Sequence, residues 1–84
     1  MFKRKKAKEM FKKLGFDSIN PASCSTIRYE RHDDFKNDDV VVIFEKNTKD
    51  VSIFYQYDSI VMVSVDMELF KAINQQIKEL RWLK

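Results

Sequence analysis

Val40-Val41-Val42-Ile43-Phe44-Glu45 and Val51-Ser52-Ile53-Phe54-Tyr55-Gln56-Tyr57, separated by Lys46-Asn47-Thr48-Lys49-Asp50, decide the fold class. Both runs are β-branched and aromatic, the composition that fits a pleated surface. Five polar residues between them make a hairpin the economical connection. Upstream, Ser25 to Arg31 alternates, with Ile27 and Tyr29 on one side and Thr26, Arg28 and Glu30 on the other, which predicts a half-exposed strand. His32 to Asp39 reads as an acidic loop, and Asp58-Ser59 as a turn into Ile60 to Val65, a candidate short fourth strand. Three or four strands joined by short loops form a meander, and a meander is antiparallel. Val51, Ile53, Tyr55 and Tyr57 share the face expected to meet the core. The other face carries Ser52, Phe54 and Gln56 and would expose Phe54, with Ile60 or Met62 beside it.

The sheet is flanked by two amphipathic segments. In residues 3–14, Ala7, Met10, Phe11 and Leu14 recur at helical spacing while Lys5, Lys6, Lys8, Lys12 and Lys13 occupy the rest of the surface. Gly15, the only glycine, stands where a left-handed C-cap is expected, and Phe16 can supply the accompanying apolar contact. Asp66 is a suitable N-cap for a second helix, with Met67, Phe70, Ile73, Ile77 and Leu80 as its apolar stripe and Asn74, Gln75, Lys78 and Glu79 facing outward. Positive charge at Arg81 and Lys84 suits that helix's C-terminal end. Two single-stripe helices need one apolar surface to bury them. The expected fold is therefore a single α+β domain over residues 1–84, with an antiparallel sheet of three or four strands and N- and C-terminal helices packed on one face.

Length and composition agree with this. Eighty-four residues allow one core, and seven Phe, three Tyr and one Trp supply burial in a chain whose charged fraction is 35%. A single Cys excludes an intramolecular disulfide framework. No run approaches the roughly 18 apolar residues of a membrane span, and Met1 to Lys6 lead into no apolar signal core, so the expectation is a cytoplasmic protein. Charge is unevenly spread. Residues 1–14 hold seven Lys or Arg and one acid, and residues 15–84 hold nine bases and twelve acids.

Leu69-Phe70-Lys71-Ala72-Ile73-Asn74-Gln75-Gln76-Ile77-Lys78-Glu79-Leu80, followed by Arg81-Trp82, resembles the C-terminal segment of small uncharacterised proteins encoded by phages and prophages of Gram-positive bacteria. The helix ending in Leu14-Gly15-Phe16, the Tyr29-Glu30 strand and a hairpin from Ile43-Phe44-Glu45 to Ile53-Phe54 are similar too. The chain departs at Arg81, where such proteins often carry Gly before the Trp. The resemblance implies a phage-related origin and a bacterial host cell. It implies no catalytic or binding residue.

Residues that could carry chemistry are few. His32, Asp33, Asp34, Asp38 and Asp39 are the only clustered metal-ligand types, but their spacing matches no known metal loop, and an acidic connector is ordinarily just solvated. Cys24 and His32 lack a third, orienting group. A glycine-rich phosphate loop is impossible with one glycine. These points predict no catalytic residue, metal or cofactor.

Two binding readings remain. The exposed sheet strip at Phe54, the free edge of the first strand and the apolar end at Trp82 and Leu83 suit protein–protein contact, with a homodimer as one form it could take. The alternative is nucleic-acid binding through Lys5, Lys6, Lys12 and Lys13, by phosphate contacts that carry no sequence preference. A membrane-surface role for the first helix is disfavoured, because Met10, Phe11 and Leu14 are needed to pack it on the sheet.

Overall fold

The computed structural model describes residues 6–19, 25–58 and 60–82. Helix α1 (Ala7–Lys13) leads into a four-stranded antiparallel sheet, β1 (Asp17–Ile19), β2 (Thr26–Asp33), β3 (Asp38–Glu45) and β4 (Asp50–Tyr55), in the order β1-β2-β3-β4, and helix α2 (Met67–Glu79) closes the fold. The architecture is the α+β meander that the periodicities predict, with both helices on one face.

That face is built in cross-strand rows. Ile27–Phe44–Val51, Tyr29–Val42–Ile53 and Arg31–Val40–Tyr55 lie opposite one another across β2, β3 and β4. Onto them α1 brings Ala7 and Phe11, and α2 brings Leu69, Ala72 and Ile73, all buried in one cluster. Aromatic rings form its centre. Phe11 stacks on Tyr29 at 4.0 Å, and Phe16 and Phe44 meet Phe11 edge-on at 5.5 and 6.1 Å. Each such ring stabilises by about 1.5–3 kcal/mol through burial, which matters in a domain this small. Gly15, at φ 91, ends α1: Gly15 donates to the Lys12 carbonyl and Phe16 to the Phe11 carbonyl, the paired bonds of a Schellman cap with its apolar contact.

Several expectations change. Asp17 to Ile19, outside the runs read as strands, is a strand that covers the edge of β2, so the first long strand has no free edge there. The fourth strand is this one, and residues 60–65 form none. The acidic loop from His32 to Asp39 shrinks to four residues, because the ladder continues to Asp33↔Asp38 and positive φ at Asn37 permits the tight turn. Tyr57 lies beyond the end of β4 and is 81% exposed instead of facing the core.

The buried stripe of α2 is also rotated from the expected one. Ile73 is buried and Ile77 and Leu80 pack against the core as expected, but Leu69, Ala72 and Gln76 are buried too, while Met67 and Phe70 are exposed. The reason is polar: the Gln76 side-chain oxygen accepts from the Tyr29 hydroxyl at 2.7 Å inside the core, which turns a glutamine inward beside Ile77. Residues 1–5, which include part of the expected first helix, lie outside the described residues.

Candidate functional site

The basic helix, the outer sheet face, the acidic end of the sheet and the stretch from Ile60 to Phe70 are the surfaces on which function could rest.

On α1, Phe11 turns inward, and Lys6, Lys8, Lys12 and Lys13 point to solvent, pairing with no acid among the described residues. Lys8 and Lys12 border a shallow concavity of about 200 Å³ with Phe16, Asp17 and Ser18, and the carboxylate of Asp17 there opposes an anion. Lys13 instead lines an open groove of about 440 Å³ between the helices with Met10, Leu14, Glu68 and Lys71. The candidate lysines thus split between two sides of α1. Lys5 lies outside the described residues.

The outer sheet face is not the open apolar strip that alternation predicts. Phe54 lies opposite Val41 and is half-buried, and Val41 is fully buried beneath its neighbours. A polar frame crosses this face: the Arg28 guanidinium donates to Glu30 and, at 2.8 Å, to the Gln56 side-chain oxygen. Trp82 is half-buried, its ring 6.4 Å from that of Phe44, so it closes the base of the core. Leu83 lies outside the described residues, as does Cys24.

At the end of the sheet bearing the β2–β3 turn, the acids act as local clasps. Asp38, buried, accepts from the amides of Asp39, Tyr57 and Asp58 at 2.7–3.1 Å and so fastens the chain leaving β4 to the start of β3. Asp33 accepts from the amides of Phe35 and Lys36 and from the Tyr55 hydroxyl. Partial burial pushes its carboxyl upward, but those three donors outweigh it and hold Asp33 below the usual carboxylate range. Tyr55 is shifted upward, by desolvation first and then by its bond to Asp33. His32 contacts Asp39 at 2.9 Å and Asp34 at 3.4 Å, and the bond to Asp39 raises its pKa. No three His, Cys, Asp or Glu side chains among the described residues converge as a metal site.

The remaining surface is one that periodicity did not single out as a unit. Between Ile60 and Phe70, five large apolar side chains face water: Ile60 (92% exposed), Met62 (89%), Met67 (65%), Phe70 (53%) and Val65 (43%). The intervening Val61 and Val63 pack against the core. Ile60 and Met62 are exposed as the sequence offered them, whereas Met67 and Phe70 were expected in the buried stripe of α2. Tyr57 and, in the β2–β3 turn, Phe35 are likewise exposed. No helix among the described residues is long and apolar enough to cross a membrane. No protein-family model, curated protein or solved structure matches this chain.

Proposed function

We propose that this protein is a non-enzymatic accessory protein of a phage or prophage, working in the host cytoplasm by binding another protein. The observation that carries the reading is the run of exposed apolar side chains from Ile60 to Phe70. The core is already filled by aromatic contacts and leaves these residues outside, and clustered exposure of this kind marks a contact surface. Of the residues expected to bind from sequence, Phe54 contributes a half-buried side chain next to this surface in the chain, and Trp82 belongs to the core.

The second reading is nucleic-acid binding, favoured by the exposure of Lys6, Lys8, Lys12 and Lys13 without acidic partners among the described residues. Capture from host lysate with the protein and with an Ile60→Ser/Met62→Ser variant, alongside titration of labelled DNA and RNA at two salt concentrations, separates the two. Protein binding predicts a captured partner that the double variant loses and Lys12→Glu/Lys13→Glu retains. Nucleic-acid binding predicts affinity that falls steeply with salt and disappears in the lysine variant.

A further inference from the structure

Gln56 donates its amide to the Asp39 carbonyl at 2.9 Å, one step beyond the last ladder pair, Val40↔Tyr55. Antiparallel ladders alternate, so Phe54, Ser52 and Asp50 also bond toward β3, and the amides and carbonyls of Val51, Ile53 and Tyr55 point away from it. Among the described residues, no backbone bond occupies those outward groups. Among the described residues the following segment does not pair with it either, and the one backbone bond of residues 60–65 there is Val61 to the Asp58 carbonyl.

Edge strands are ordinarily blunted by shortness, charge, Pro or a bulge. The opposite edge follows this rule, since β1 has three residues and begins with Asp17. The β4 edge is twice as long, and beyond its first residue, Asp50, the stretch Val51 to Tyr57 contains no charge, no Pro and no Gly.

We infer that β4 is a homodimerisation edge, pairing antiparallel with β4 of a second copy about a two-fold axis at Ile53. This deepens the reading of the protein as one that acts through protein contact, but uses a surface other than the Ile60–Phe70 run. The register follows from charge and geometry. An axis at Ile53 sets Ile53 against Ile53, Val51 against Tyr55, Ser52 against Phe54 and Asp50 against Gln56, so every outward amide and carbonyl of the strand is paired and no like charges oppose. β-Branched residues facing aromatic ones are favourable cross-strand neighbours. An axis at Phe54 would oppose Asp50 to Asp58. An axis at Ser52 would require Lys49, at φ 59, to act as a strand residue opposite Tyr55. The self-complementary register selects a second copy over an unrelated peptide as the occupant.

Sedimentation equilibrium over a hundredfold concentration range, with amide hydrogen exchange at its two ends, tests this. A monomer–dimer equilibrium is expected, with slowed exchange at Val51, Ile53 and Tyr55 only at high concentration. Val51→Pro removes an outward amide without touching the β3 ladder and should weaken dimerisation at least tenfold. Ser52→Lys/Phe54→Lys, which opposes lysines across the axis, should abolish it, with circular dichroism confirming both variants folded. A monomer at every concentration, or a dimer unaffected by both variants, overturns the inference. Lysate capture by Val51→Pro keeps the two readings apart: a monomeric protein that still captures its partner refutes only the dimer, and a dimer that captures nothing refutes only the Ile60–Phe70 surface.

Discussion

α1 and α2 stop with the same pair of hydrogen bonds made by different residues. Phe16 reaches back to the Phe11 carbonyl and Gly15 to that of Lys12; Trp82 reaches back to Ile77 and Arg81 to Lys78. The left-handed position falls on Gly15 in α1, at φ 91, and on Arg81 in α2, at φ 60. Their N-termini reverse the contrast. α2 begins on Asp66, whose carboxylate accepts from the Leu69 amide at 2.8 Å. α1 begins on Lys6, whose side chain caps nothing, and its first amide, Ala7, donates at 2.6 Å to the carboxylate of Glu79 at the far end of α2. Each helix therefore has one well-suited end and one makeshift end. The makeshift start of α1 is completed by its neighbour, so a seven-residue helix too short to persist alone depends on α2 for its first turn.

The widest test of this dependence is alkaline pH, because Tyr29 touches both helices, stacking on Phe11 and bonding Gln76. Burial, with a further contribution from the Glu79 charge, pushes its hydroxyl up to about 12. The fold prefers the neutral phenol, so the contribution is complete below pH 10 and is lost as pH rises from 10 to 12. At a tenfold change in proton affinity per about 1.4 kcal/mol, the loss is about 2–3 kcal/mol. Denaturant titrations at pH 9 and 12 should show it, and Tyr29→Phe should flatten that limb. Next in size, Glu79→Ala should cost about 1.5–2 kcal/mol, since it leaves the Ala7 amide without its charged acceptor. Amide exchange should then quicken in α1 before α2, and equal loosening of both helices would break the contrast.

Smaller effects sharpen it. Asp66→Ala should cost about 1 kcal/mol in thermal unfolding, the usual worth of an N-cap. Gly15→Ala should cost a similar amount, about 1 kcal/mol, from left-handed strain and because the new Cβ would lie 3.3 Å from Arg31 Cδ. Arg81→Gly should act in the opposite direction. Relief of strain exceeds the added freedom of the unfolded chain, and a gain of about 0.5 kcal/mol is expected. Destabilisation by Arg81→Gly would mean that the Arg side chain contributes more than its backbone position costs.

These ends also show what could be read from sequence. Gly15 and Asp66 were legible because a cap is a local rule tied to one residue type. Glu79 was not, because its partner lies 72 residues away and its own helix gives it no distinguishing pattern. β1 was hidden for a related reason: Asp17-Ser18-Ile19 is too short to show alternation, and only the exposed edge of β2 makes it a strand. On the candidate surfaces, the lysines were legible as a charged face, since composition alone exposes them. Of the exposed run, Ile60 and Met62 were legible as candidates for exposure beside Phe54, but Met67 and Phe70 were read into the buried stripe of α2, because periodicity counts apolar residues without knowing that Gln76 occupies part of the core.

The Ala7–Glu79 bond has a topological consequence. The sheet links each strand only to its sequence neighbours, so nothing in it ties the beginning of the chain to the end. The antiparallel contact of α1 with α2 makes that tie and turns a linear meander into a ring. A ring can be opened elsewhere. A circular permutant that joins the two helix-bearing ends through a short flexible linker and starts in the Lys46–Lys49 turn would preserve every packing contact described, while the β3–β4 hairpin would change from the most local pairing in the molecule to the most distant. Its folding rate would therefore report directly whether that hairpin or the helix pair forms first.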